Sequence, residues 1–195
     1  MYRNNPFHNF EHACHVTMSI LKLLERVVTP DEIDYEGEST EIASDAHNYT
    51  YGITSDPLTQ FAVVFAALIH DVDHTGVPNS ILVSEKAALA AMYNSKSVAE
   101  QNSVDLAWGI LMDSEYDELR ASIYSDTTGL EHFRQLVVNS VMATDIIDKE
   151  ANSIRSAKWD VACKNAEEDD SSITELDYIN RRATIVIEHM LQASD

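Results

Sequence analysis

Basic side chains are scarce in this sequence. Thirteen lysines and arginines face 33 aspartates and glutamates over 195 residues, a formal charge of −20, and no basic residue lies between Arg26 and Lys86. Binding along a nucleic-acid backbone depends on Lys and Arg neutralising phosphates, so this balance argues against a nucleic-acid partner. An anion bound near His70 would need its counter-charge from a metal cation. Cysteine is nearly absent. Cys14 and Cys163 form no framework and no CxxC pair, which predicts two free thiols in a reducing compartment. No window approaches the roughly 18 apolar residues of a membrane span. The opening residues "MYRNNPFHNF" lack the charged start and apolar core of a signal peptide. The expected location is the cytoplasm, the cytoplasmic part of a larger membrane-associated protein included.

Glycine and proline are also rare, five and four residues, while apolar residues recur at three- and four-residue spacing. That pattern predicts an all-α, compact multi-helix bundle. The length suits one domain or part of a larger one. Asn5 followed by Pro6 predicts an N-cap and a first helix from about Pro6 to Val28, buried along Phe10, Ala13, Thr17, Leu21, Leu24 and Val28. From about 29 to 55 the periodicity disappears, and seven acidic residues between Asp31 and Asp45 predict an exposed loop insertion. Asp56 and Pro57 restart a helix buried through Phe61, Phe65, Leu68 and Ile69. Further helices are expected over 79–93, 97–112, 115–124, 128–147, 149–165 and 173–192, with a second acidic loop at "EEDDSS", 167–172.

Five of the eight histidines fall in two short segments: His8, His12 and His15, then His70 and His74. Positions 8, 12 and 15 are spaced to share one helical face. A partly exposed polar stripe would also fit that spacing. His70 with Asp71 offers an imidazole nitrogen and carboxylate oxygens at a helix end. Zinc accepts both ligand types, and a carboxylate can bridge to a harder cation. For an isolated "HD" pair, a solvated helix end would suffice.

The flanking residues extend both segments. "FHNFEHACHV" resembles the "HNxxHA" motif of the class I cyclic-nucleotide phosphodiesterases, and "HDVDHTGVPN" resembles their "HDxDHxGxxN" signature. "AAMYNSKSVAEQN" is similar to the family's "LAxxYNxxSVLEN", "VMATDI" to its "ATD" motif, and "HMLQASD" to the segment carrying its last metal-binding aspartate. These segments follow family order along nearly the whole chain.

The resemblance implies an HD-type helical bundle that hydrolyses 3′,5′-cyclic nucleotides, cAMP or cGMP or both, with Zn2+ and Mg2+ (or Mn2+) in a two-metal site. It implies that His12, His70, Asp71 and Asp195 ligate zinc, that Asp71 bridges to the second cation, and that His8 protonates the leaving 3′ oxygen. His74, Asn79, Glu100, Thr144 and Asp145 match positions that hold water around the metals or brace the ligands. Three of these residues also fit plainer roles. Glu100, three after Ser97, fits a capping box; Asp145 fits a solvated helix end; Asp195, the last residue, fits a frayed terminus.

The sequence departs from the family pattern at Phe7, where tyrosine is usual, at His15 for an acidic residue, and at Gln101, Asn102 and Ser103 for an asparagine and two histidines. It also carries neither the family's later helices, which clamp the purine, nor its earlier ones. Residues 1–195 are therefore expected to be part of a catalytic domain within a longer protein, with possible additional domains. A general HD-type metal-dependent phosphohydrolase and a non-catalytic, truncated metal-binding module are the alternatives.

Overall fold

The computed structural model describes residues 1–27, 50–53, 55–147, 153–154, 156–157 and 175–195, without the side chains of 27 and 175–180. Among the described residues there are helices and turns and no strand. The helices are α1 (Phe10–Val27), α2 (Pro57–Ile69), α3 (Asn79–Ser84), α4 (Ala88–Met92), α5 (Val98–Leu111), α6 (Asp117–Ile123), α7 (Thr127–Ala143) and α8 (Glu175–Ser194), with a 3-10 turn at Ser114–Tyr116. The fold is all-α.

Helices α1, α2, α7 and α8 pack on one another, and α5 lies against α7. The centre of α2 is small: Ala62, Val63, Ala66 and Ala67 are fully buried, so neighbouring helices approach its backbone closely. Phe133 of α7, also fully buried, receives the rings of Phe61, Phe65, Trp108 and Tyr124 at 5.8–6.1 Å. Asp56 caps α2 as expected, accepting from the backbone amides of Leu58 and Thr59 at 3.0 and 3.2 Å. A satellite core of Leu82, Ala90, Tyr93 and Val98 holds α3, α4 and the start of α5 together.

Several expected boundaries and faces differ. Helix α1 starts at Phe10, not Pro6, because two caps follow in succession. Asn5 Oδ1 accepts from the amides of Phe7 and His8, and four residues later Asn9 Oδ1 accepts from His12. The buried face of α1 is Ala13, Val16, Ile20 and Leu24, while Phe10 and Leu21 are exposed; Val28 lies outside the described residues. In α2, Phe61 and Leu68 stay partly exposed, Phe61 with one side of its ring on Phe133, and the alanines are the fully buried residues. The expected helix over 79–93 is two helices, parted where Lys86 adopts φ 53. Helix α7 ends at Ala143 rather than near 147.

Thr50 and Ile53, at the end of the expected exposed insertion, are buried, with Ile53 in the main core. The rest of that insertion up to 49, the 167–172 loop, Cys163 and most of the 149–165 helix lie outside the described residues. Cys14 is a free thiol. No helix among the described residues is long and apolar enough to cross a membrane.

Candidate metal and active site

The end of α2, the start of α1 and the end of α8 meet at one point. His70 is the C-cap of α2, and its Nδ1 donates to the Ala67 carbonyl at 2.8 Å. A carbonyl only accepts, so the Nδ1 proton is fixed and Nε2 is left to face the cluster. His12 sits in the first turn of α1 and Asp71 directly after His70. Asp195 is carried in by α8, whose Ile187 and Leu191 are buried in the core. Gln192 anchors that last turn by donating to the Ala143 carbonyl at 2.6 Å.

Four atoms converge there: His12 Nε2, His70 Nε2, Asp71 Oδ2 and Asp195 Oδ1. His12 stands 2.8 Å from Asp195 and 3.6 Å from Asp71; His70 stands 3.3 Å from Asp195 and 3.4 Å from Asp71. Ligands about 2.0–2.2 Å from a tetrahedral zinc stand roughly 3.3–3.6 Å apart. Three of these four spacings match that range and the His12–Asp195 contact would open by about 0.5 Å, so the donor types and spacing suit a zinc-sized cation.

The charges here are mutually dependent. Burial pulls the His70 imidazole down, but its hydrogen bond to Asp195 and the charges of Asp71 and Asp195 outweigh this, and its pKa rests above the ordinary value. Burial pushes the Asp195 carboxyl up, and His70 and His12 more than reverse it, leaving it below the ordinary carboxylate range. A cation held at this point would compete with protonation of His70 Nε2.

His8, in the turn before α1, places Nδ1 2.9 Å from Asp71 Oδ2 and keeps about a third of its side chain exposed. His74 stacks on it with ring centroids 3.8 Å apart. His74 Nδ1 accepts from the Gly76 amide at 2.9 Å. Burial and then the neighbouring His8 hold the His74 pKa below its usual value. His8, Asp71 and His74 thus form a second group with metal-ligand spacing, sharing Asp71 with the first. Gly76 is required where it stands: its φ is +80°, and a Cβ there would meet Asn5 Nδ2 at 2.7 Å. His15 is exposed and joins neither group.

Asn79 organises the far side. Its Nδ2 donates to Glu100 Oε2 at 2.8 Å and Asp145 Oδ2 at 3.2 Å, while its Oδ1 accepts from the Ala99 amide at 2.9 Å. Burial raises the Glu100 pKa. A capping-box role for Glu100 fails at its first step, because Ser97 has φ 36 and makes no side-chain cap; Asn79 supplies that bond. Asp145 is buried rather than solvated. Thr144 is the C-cap of α7, its hydroxyl donating back to the Val141 carbonyl at 2.8 Å.

Two further residues brace the chain on either side of His70 and Asp71, and the motifs gave no sign of them. Arg3 grips Asp73 with Nε and Nη2 at 2.7 and 3.0 Å, and Tyr2 donates to the Leu68 carbonyl at 2.6 Å. Asn102 and Ser103 reach the same turn, at Asp73 and at the Val72 carbonyl. Phe7 keeps its ring on His12, 4.5 Å between centroids.

The family profile described as 3′5′-cyclic nucleotide phosphodiesterase matches residues 7–195. The chain belongs to that family. It is 37% identical over 145 residues to a probable 3′,5′-cyclic-AMP phosphodiesterase of Caenorhabditis elegans, covering 74% of this chain and 18% of that protein. It is 32% identical over 168 residues to the human cGMP-inhibited 3′,5′-cyclic phosphodiesterase 3A, covering 74% and 14%. Among solved structures, the phosphodiesterase domain of the RhoPDE fusion protein from the choanoflagellate Salpingoeca rosetta shares the fold, with a TM-score of 0.68 at 24% identity. That likeness covers 99% of this chain and 50% of that one. The chain thus spans a small part of these curated relatives and half of the solved domain.

Proposed function

We propose that residues 1–195 form the metal-centre part of a phosphodiesterase catalytic domain that hydrolyses cAMP, cGMP or both to the 5′-monophosphate. The observation that carries this reading is the convergence of His12, His70, Asp71 and Asp195, with His8 against the shared Asp71. In this reading His12, His70, Asp71 and Asp195 would hold zinc, and Asp71 would also serve a second cation, Mg2+ or Mn2+. The cations supply neutralisation of the phosphodiester anion and a water acidic enough to attack it near neutral pH.

The chain's own residues do the rest. His12, His70 and Asp195 hold ligand atoms inward from three helices. Asp71 orients the His8 ring through Nδ1, leaving Nε2 to give its proton to the 3′ oxygen as the phosphorus–O3′ bond breaks. His74, packed on His8, limits where that ring can turn. Asn79 keeps Glu100 and Asp145 together as acceptors for ordered water, and Thr144 fixes the end of α7 that precedes Asp145. The whole protein is read as longer than this chain and as acting in the cytoplasm on a small cyclic nucleotide.

The test is turnover of cAMP, cGMP, non-cyclic phosphodiesters and monophosphates, with zinc and magnesium and then with EDTA, in this chain and in the full-length protein. Metal-dependent loss of cyclic nucleotide is expected. Activity confined to non-cyclic phosphoesters would point instead to a general HD-type phosphohydrolase. Retained metal without turnover in the full-length protein would point to a non-catalytic module.

A further inference from the structure

We propose that Arg3 and Asn102 are positioning residues for Asp71: by gripping Asp73 they fix the turn that aims the Asp71 carboxylate into the cluster. This rests on the metal-centre reading above and goes beyond it, since neither residue touches a ligand atom.

The turn is defined from several directions. The Val72 amide donates to the Ile69 carbonyl and the His74 amide to the Asp71 carbonyl, both at 3.0 Å. Between them Asp73 holds φ 60, a left-handed conformation that an L-residue adopts only when its surroundings require it. Its surroundings do so. The Asp73 amide donates to the Met1 carbonyl at 3.0 Å, Arg3 takes both carboxylate oxygens in a fork at 2.7 and 3.0 Å, and Asn102 Nδ2 donates to Oδ2 at 3.3 Å. Ser103, fully buried, donates to the Val72 carbonyl at 2.8 Å.

The Arg3–Asp73 pair is half in solvent, 49% and 29% exposed, so its direct contribution to stability is small. Its geometric contribution is larger, because a bidentate fork constrains direction as well as distance. The same grip keeps the Asp73 carboxylate, itself a metal-ligand type two residues from Asp71, out of the cluster.

The test is cobalt(II) titration of the 195-residue chain followed by its visible absorption, for wild type, R3A, R3K and N102A, with the metal-free melting point as control. Supporting residues around a metal typically cost 10–100-fold in affinity when removed. R3A should therefore bind cobalt roughly 10–100-fold more weakly with a changed absorption band. R3K, keeping the charge but losing the fork, should recover part of it, and N102A should lose less. Metal-free melting should stay near wild type. Wild-type affinity and spectrum in R3A and N102A would overturn the proposal, as would an affinity loss matched by an equal loss of metal-free stability. If R3A does not fold, R3K and N102A read the same quantities. A wild-type chain that binds no cobalt would sink the metal-centre reading itself, a separate result.

Discussion

His12 Nε2 and Asp195 Oδ1 stand 2.8 Å apart across 183 positions of chain. The first turn of α1 and the last residue after α8 therefore close one side of the cluster, while His70 and Asp71 close the other. Removing the Asp195 carboxylate should open that side without disturbing the core, since Leu191 and Ile187 hold α8 independently. D195A is expected to lower zinc affinity by at least about 100-fold, the upper end of what losing a mere supporting residue costs. Calorimetric zinc titration checks it; an affinity within a few-fold of wild type would remove Asp195 from the ligand set.

Asp71 and His8 touch, yet they should fail differently. Asp71 belongs to both ligand groups and His8 to one. D71A should lose bound zinc together with turnover. H8A should keep its zinc and lose about 10²- to 10⁴-fold in turnover, the usual range for a missing general acid. Metal content by atomic absorption beside cyclic-nucleotide assays at saturating metal separates the two. Equal zinc loss in both variants would contradict the division of roles.

That His12, His70, Asp71 and Asp195 come together was legible in the sequence because these donor types lie in short motifs, and the structure brings their ligand atoms within 4.8 Å of one another. The braces were not. Arg3 sits 70 positions from Asp73 and carries no motif, and Asn79 caps α5 across 20 positions where Ser97 stood in the expected place. The helix content was legible from periodicity, but its faces were not always. Helix α2 is apolar nearly all round, so its sequence does not say that Ala62 and Ala66 are fully buried while Phe61 and Leu68 stay partly exposed. Position 86 is a lysine, neither glycine nor proline, so nothing in the residue type marks the break between α3 and α4.

Without metal, the His70–Asp195 pair should make the fold's stability pH-dependent. His70 lies above its ordinary value, so its share is complete below about pH 6.5 and fades as pH rises through the folded-state pKa. Asp195 lies below its own, so its share is complete above about pH 3.9 and fades as pH falls further. Both shares belong to one pair that needs His70 protonated and Asp195 ionised, so denaturant melts of EDTA-treated wild type and D195N should differ most between about pH 4 and 6.5 and less toward pH 9. A difference that is flat across this range would count against the pairing.

Phe133 fills the meeting point of α2, α5 and α7 with no exposed surface and four rings around it. F133A should cost about 3–5 kcal/mol, the usual loss for a buried phenylalanine replaced by alanine. Replacement by leucine should recover much of it by refilling volume. Chemical denaturation measures both; a loss below about 1 kcal/mol would show that the surrounding rings collapse into the space.

Glu100 distinguishes a residue kept for stability from one kept for chemistry. Burial raises its pKa, which means that its ionised form is disfavoured in the fold. Because the folded state holds that proton more tightly than the unfolded chain, the penalty grows as pH rises through the folded-state value and disappears below the ordinary one. E100Q keeps the shape and still offers an oxygen to Asn79 Nδ2, the 2.8 Å contact, while discarding the buried charge. At pH 8 it should melt higher than wild type, and the gain should shrink toward pH 4. Turnover by the full-length protein should nevertheless fall, because a neutral amide is a weaker acceptor for ordered water near the cations. A purely structural role would give the opposite sign, with E100Q less stable and its turnover unaffected. Paired melts and assays at pH 8 decide between the two.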